Sequence, residues 1–481
     1  MPSDLKKKTA KGMLWSAVER FSTQGIQFLF GIFLARLLTP ADYGVIAMLT
    51  IFLAISQTFI DSGFSNAIIR KIDRTEKDMS TMFFFNIGMA LVCYIVIFLA
   101  APFIADFYEM QELTLILRVL AIKIILQSFC VVQATELTIK LDFKKQAKIS
   151  LICAIFSGVV GIVFAYLGYG VWALVIQSLL GTLLISFLYW IIARWRPLSF
   201  FSKESFNYLF SYGSKLLISG LMETIYKNLY PLVIGKFYTA AQLGGFSKAD
   251  RFAQFPSSNL TAILQRVSFP VLSTLQNDPQ KLRGGYIKFL NLSSFIIFPL
   301  MIGLLALAKP LTLMLLTDKW SEMIFLLQLL CIAMMWYPVH SINLNILQVL
   351  GRSDLFLKLE IIKKIVGIAI LVATLPFGIV PLCIGKVADS LIGLVINTYY
   401  SGKFINAGFI VQMKFLLPTF FNSCVMGAAI LGINSLLPQN QYALQIGTGF
   451  SIGMLYYFAT NYLFNRKTIE EILDLLKRNK K

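Results

Sequence analysis

Histidine is nearly missing from the 481 residues: His340 stands alone, which excludes a multi-histidine metal site and a two-histidine proton relay. Beside Pro338 in an apolar run, it is expected to pack helices or satisfy a kink. The six cysteines, Cys93, Cys130, Cys153, Cys331, Cys383 and Cys424, lie in apolar runs without CxxC spacing. Neither disulfides nor zinc are therefore expected. Charged residues make up only 14% of the chain, and acids are scarcer than bases, 24 Asp and Glu against 43 Lys and Arg. No GxxxxGK(S/T) phosphate loop occurs, and no hydrophilic stretch is long enough to form a soluble domain around one. Nucleotide hydrolysis by this chain is not expected.

What fills the chain is apolar: 57% of residues are hydrophobic and the mean hydropathy is +0.73. Apolar runs follow one another at roughly 12–35, 45–69, 80–104, 113–136, 146–168, 170–193, 211–235, 243–269, 286–308, 322–350, 357–376, 378–400, 411–436 and 442–464, about fourteen membrane spans. They should be helices, because a helix satisfies its own backbone where water is absent. The fold class is therefore all-α and polytopic. Lys6-Lys7-Lys8 before the first run superficially suggests a secretory signal, but the run is long, holds Glu19 and Arg20, and has no small-residue cleavage site. It reads as a retained first span.

A net charge of +19 raises the question of a nucleic-acid partner, and its distribution answers it. With a cytoplasmic N-terminus, nearly all loop lysines and arginines fall on one side, while the other keeps only Arg36, Lys236, Lys309 and Lys319. This is the positive-inside pattern, with both termini cytoplasmic and no nucleic acid implied.

A phrase is repeated two hundred residues apart: Ala35-Arg36-Leu37-Leu38-Thr39-Pro40-Ala41-Asp42-Tyr43-Gly44 and Gly235-Lys236-Phe237-Tyr238-Thr239-Ala240-Ala241-Gln242-Leu243-Gly244. Leu99-Ala100-Ala101-Pro102 recurs as Leu307-Ala308-Lys309-Pro310, and Gly168-Tyr169-Gly170-Val171 as Pro376-Phe377-Gly378-Ile379. The chain thus reads as a duplication, with an N-terminal lobe over 1–205, a C-terminal lobe over 206–405, and two extra spans with a basic tail over 406–481. A duplicated set of spans is the mark of a two-lobed transporter with its site between the repeats.

Six plus six plus two spans, the repeated phrase, Asp61-Ser62-Gly63-Phe64-Ser65-Asn66-Ala67 and Gly168-Tyr169-Gly170-Val171-Trp172-Ala173-Leu174 resemble the polysaccharide-transporter branch of the multidrug/oligosaccharidyl-lipid/polysaccharide exporter superfamily, the Wzx-type exporters. The resemblance implies a flippase, not an enzyme, that carries a polyprenyl-pyrophosphate-linked oligosaccharide to the outer leaflet of the bacterial plasma membrane for lipopolysaccharide, capsule or exopolysaccharide. It implies association with a polymerase and glycosyltransferases. It also implies that spans one, two, seven and eight line the cavity.

Charge inside a span costs at least about 2.5–3.5 kcal/mol, so each such residue needs a partner or a wet cavity. Polar stripes fall on those four spans. Arg20, Gln24, Gln27, Asp61, Lys215, Glu223, Tyr226, Lys227, Lys248 and Arg251 form the candidate substrate site, the bases suited to pyrophosphate and the tyrosine to a sugar. The plainer reading is mutual neutralisation: Glu223 with Lys227 and Lys386 with Asp389, each one turn apart. Arg118 and Lys123 are expected to serve lobe packing. The last two spans provide either a groove for the polyprenyl tail or a buttress. No cofactor or metal is expected. The drive is an ion gradient, protons rather than sodium, or the membrane potential, with Glu223 and Asp389 as candidate coupling carboxylates. Other readings are a peptidoglycan-precursor flippase, a cation-coupled drug antiporter, and, from a different class, a membrane glycosyltransferase or polymerase.

Overall fold

The structure is a computed structural model that describes residues 3–61 and 63–464, with side chains in the first helix described at Trp15 and from Phe21 onward. Its helices run α1 (Ser3–Leu37), α2 (Pro40–Asp61), α3 (Phe64–Arg70), α4 (Glu76–Tyr108), α5 (Leu113–Ser128), α6 (Val131–Ile139), α7 (Phe143–Tyr166), α8 (Val171–Ala193) and α9 (Lys203–Phe237). They continue with α10 (Ala240–Thr274), α11 (Pro279–Ala306), α12 (Ala308–Leu316), α13 (Met323–Met334), α14 (Tyr337–Val349), α15 (Ser353–Thr374), α16 (Ile379–Ile405), α17 (Phe409–Leu436) and α18 (Tyr442–Phe464). Each expected span coincides with one of these helices or with a broken pair. Among the described residues nine are long and apolar enough to cross a membrane, and α9 and α10, which carry polar stripes, are not in that set. The chain is an all-α, multi-pass membrane protein.

Helix starts follow local chemistry. Thr75 and Asp78 make a reciprocal capping box before α4. Asp278 accepts the amides of Gln280 and Lys281, both at 3.1 Å, with Pro279 as the first residue of α11. The expected fourth and tenth spans are both broken: α5 gives way to α6 at Phe129–Cys130, and α13 to α14 at Met335–Trp336.

The chain divides into two compact units, Met1–Gly244 and Gly245–Lys481. In the first, Phe83 is ringed edge-on by Phe129, Trp190 and Trp195. The segment joining α8 to α9 is strapped to the start of α4: Trp195 Nε1 donates to Glu76 Oε2 at 3.2 Å and the Ser202 amide to Thr81 Oγ1 at 3.0 Å. Lys123 donates to Ser178 at 3.1 Å, and Arg118 lies over the Phe98 ring while donating to its carbonyl at 3.2 Å. Both pack helices of this unit, as expected of them.

In the second unit a buried polar knot joins α11, α14, α16 and α17. Tyr286 and Ser401 hydroxyls each donate to Asn343 Oδ1 at 2.7 Å, and Gln412 exchanges two 3.0 Å bonds with the same side chain. The Tyr457 hydroxyl of α18 donates to the Phe295 carbonyl at 2.8 Å. The two extra helices are therefore fastened to this unit, α17 through Asn343 of α14 and α18 through Phe295 of α11. His340 bonds Ser390 at 3.3 Å and Asn397 at 3.1 Å, and is a packing residue. No disulfide or metal-ligating cluster occurs among the described residues.

The repeated phrase has a structural meaning of its own. Thr39 caps α2 by sharing bonds of 2.7–3.3 Å with Asp42, and Thr239 caps α10 the same way with Gln242 at 3.2–3.4 Å. The two capped starts then cross backbone to backbone. A methyl group on Gly44 would sit 1.8 Å from the Ala240 carbonyl oxygen, and one on Gly244 would sit 1.8 Å from the Pro40 carbonyl oxygen. Only glycine permits that approach.

Candidate functional site

Within the first unit the polar stripes occupy α1, α2 and α9. The side chain of Arg20 lies outside the described residues. Gln24 is half-buried with its Oε1 enclosed, whereas Gln27 is exposed. Asp61 accepts a 3.0 Å bond from Gln57 one turn earlier, and the hydroxyls of Thr58 and Thr224 meet at 3.0 Å, tying α2 to α9.

On α9, Glu223 and Lys227 form the ion pair anticipated from their spacing, at 3.2 Å, with both side chains substantially exposed. Tyr226 is half-buried on the adjoining surface. Lys215 stands apart from them. Twelve residues separate it from Lys227, roughly 18 Å of helix, so a single phosphate does not reach both. Lys215 instead shares a cleft with Arg70, Tyr208 and Tyr212, residues that the sequence reading passed over.

In the second unit Lys248 and Arg251 are neighbours on α10, yet their environments differ. Lys248 is only 6% exposed, with its Nζ 5.7 Å from the centre of the Trp320 ring, whereas Arg251 is exposed. A buried ammonium over an indole is held by the ring's quadrupole. Arg251 is the one of the two that is open to a ligand.

The expected pairing of Lys386 with Asp389 is not formed. Lys386 lies over the Phe246 ring and reaches Asp250 at 2.5 Å, across to α10, where Gln254 also donates to Asp250. Phe246 and Asp250 are one turn apart and present a ring and a carboxylate on one face, a better seat than the carboxylate on the lysine's own helix. Asp389 is half-buried within the electrostatic reach of Lys386 and Lys363. Lys363 is itself paired with Glu360.

Residues 33–325 match the sequence profile of a polysaccharide biosynthesis protein family. The chain belongs to this family. Among relatives of the polysaccharide biosynthesis family, the teichuronic acid biosynthesis protein TuaB of Bacillus subtilis is 24% identical over 90% of each chain. The lipopolysaccharide biosynthesis protein WzxC of Escherichia coli is 26% identical over 82% of this chain and 80% of its own. The succinoglycan biosynthesis transport protein ExoT of Rhizobium meliloti is 23% identical over 100% of this chain and 98% of its own. Among solved structures, the lipid II flippase MurJ superposes with a TM-score of 0.78 at 16% identity, covering 95% of this chain and all of that one. An inward-facing multidrug MATE transporter gives 0.59 at 16% identity, over 81% of this chain and 99% of its own. These two likenesses show that the polysaccharide biosynthesis protein shares its fold with MurJ and with the MATE transporter.

Proposed function

We propose that the protein is a flippase that carries a polyprenyl-pyrophosphate-linked oligosaccharide from the cytoplasmic to the outer leaflet of the bacterial plasma membrane, for lipopolysaccharide, capsule or exopolysaccharide assembly. It is a transporter rather than an enzyme. Both termini are cytoplasmic, and a polymerase and glycosyltransferases act before and after it. The observation that carries this reading is near whole-length similarity to TuaB, WzxC and ExoT, whose names refer to three different polymers. Such cargoes share an anionic phosphate on a lipid carrier, and Lys227 in the first unit and Arg251 in the second are each exposed cations suited to a phosphate. Likeness to MurJ supports the fold and leaves the choice of sugar open.

Six-span lobes over 1–205 and 206–405 rock to expose the cavity alternately. A dianionic cargo moving outward gains about 2.3 kcal/mol per charge per 100 mV from an inside-negative potential. Protons are favoured over sodium as coupling ion because Lys386 and Lys363 already occupy the carboxylates of Asp250 and Glu360. Glu223, whose lysine is the exposed Lys227, and Asp389 are the carboxylates that exchange a proton when cargo competes for the neighbouring lysine.

Two measurements test the reading. Arg251→Ala and Lys227→Ala, singly and together, abolish polymer export at unchanged membrane abundance; wild-type export by the double variant refutes the phosphate role. In proteoliposomes, transport responds to pH or potential, and strict dependence on a sodium gradient refutes the coupling scheme.

A further inference from the structure

The cleft of about 430 Å³ beside α3 is lined by Ala67, Arg70, Tyr208, Ser211, Tyr212 and Lys215, a volume within the range of ligand sites. Its walls are the last turn of α3 and the early turns of α9. They are drawn together where Gly63, at φ +70°, approaches the Gly213 backbone: a methyl on Gly63 would lie 3.1 Å from the Gly213 Cα and carbonyl oxygen. Arg70 lies over the Tyr212 ring at 5.0 Å, a stacking that fixes the guanidinium plane and leaves its edge free to donate. Lys71 next to it lies over Tyr208 at 4.8 Å, but its charge is spent on Asp78 at 2.8 Å. Arg70 and Lys215 have no ion-pair partner among the described residues and are both exposed. Two cations and three hydroxyls thus face one space with no carboxylate in its wall.

The height of the cleft is set by α9, whose 35 residues extend about 52 Å, well beyond a hydrocarbon core of about 30 Å. Residues 208–215 fall in its N-terminal half. The loops at this end present bare apolar side chains, Ile72 at 93%, Leu198 at 82% and Phe200 at 91% exposure, among Arg194, Arg196 and Lys203. Apolar tips mixed with bases are what the headgroup layer of an anionic leaflet accommodates. A cleft at this end of α9 is therefore suited to lipid phosphates.

We propose that this cleft is a recognition site for the phosphate of a membrane lipid, held by the Arg70 guanidinium and the Lys215 ammonium with Tyr208, Ser211 and Tyr212 hydroxyls as further donors. Two unpaired cations match a pyrophosphate better than the single charge of a phosphodiester, which makes the polyprenyl-pyrophosphate carrier the preferred occupant. That the bound lipid is the transported one rests on the proposed function; that the cleft binds lipid phosphate does not.

The test places Ser211→Cys in a cysteine-free background of the full chain, in phosphatidylcholine nanodiscs, and measures its maleimide labelling rate as polyprenyl pyrophosphate or phosphatidylglycerol is added. Protection by the pyrophosphate lipid at the lower mole fraction is expected. In Arg70→Gln/Lys215→Gln the amount required rises about tenfold or more, the loss of two charge-assisted contacts, while Lys140→Gln/Lys281→Gln, an equal loss of charge elsewhere, leaves it unchanged. Equal protection by both lipids supports the site and assigns it to the anionic lipids of the bilayer. Labelling that neither lipid slows, or protection that survives Arg70→Gln/Lys215→Gln, overturns the proposal.

Discussion

A single methyl group at position 44 should bias the protein away from the state described here. In Gly44→Ala the new Cβ falls 1.8 Å from the Ala240 carbonyl oxygen, and Cβ atoms do not approach within 3.0 Å, so α2 and the start of α10 must separate by about 1.2 Å or more. The obstacle is backbone on a capped helix and has no rotamer by which to yield. Overpacking of this kind costs about 1–3 kcal/mol, and at 1.4 kcal/mol per factor of ten the crossed state loses roughly 5- to 150-fold in population. Gly244→Ala should do the same through Pro40. Because one separation relieves both clashes, the double variant should cost less than the two single costs together, a coupling a double-mutant cycle reads directly. Cysteines at Ala41 and Ala241 report the state: bismaleimide crosslinking in membranes slows in each alanine variant, while the labelling rate of each single thiol rises. Crosslinking and export at wild-type rates in Gly44→Ala and Gly44→Val would show that the crossing constrains nothing.

Asp250→Asn should destabilise the second unit by up to about 3–5 kcal/mol, because Lys386, with its side chain 17% exposed, loses its carboxylate. Thermal unfolding of the extracted protein reads the loss, and Asp250→Leu/Lys386→Met should recover most of it. Outside the spans, Arg352 grips Asp354 through two bonds of 3.0 and 2.8 Å and holds its carboxyl down to about 2. A depressed value means the pair contributes above the ordinary carboxylate pKa and is lost as pH falls through about 2. Carboxyl carbon NMR should find Asp354 still ionised at pH 3, and Arg352→Ala should return it toward 3.8; an unchanged titration in the variant refutes the grip.

Helix positions and the repeated phrase were legible because hydrophobic length and a recurring string of residues are properties of the chain itself. What the phrase does was not, since Gly44 has meaning only against Ala240, and nothing local announces a partner two hundred residues on. Pairing was legible only within a turn: Glu223 with Lys227 is written in the spacing, but Lys386 takes Asp250 because another helix offers ring and carboxylate together. Lys215 sits on a polar stripe in projection, and its neighbour Arg70 was hidden because the break at Gly63 turns α3 back against α9. For Lys248 the decisive residue was Trp320, in a short turn that no periodicity marks.

The crossing at the two glycines also has a symmetry. Residue 44 faces 240 and residue 244 faces 40, so each copy of the phrase meets the other with the same atoms in exchanged roles. That is the geometry of an isologous interface, the kind that joins two identical subunits about a two-fold axis. Two separate copies of such a unit would make this contact as a homodimer, where any substitution strikes both sides at once. Joined in one chain, the two sides change independently. Where one copy has Asp42 the other already has Gln242, and where one has Tyr43 the other has Leu243, while the glycines on which the approach depends are the same in both.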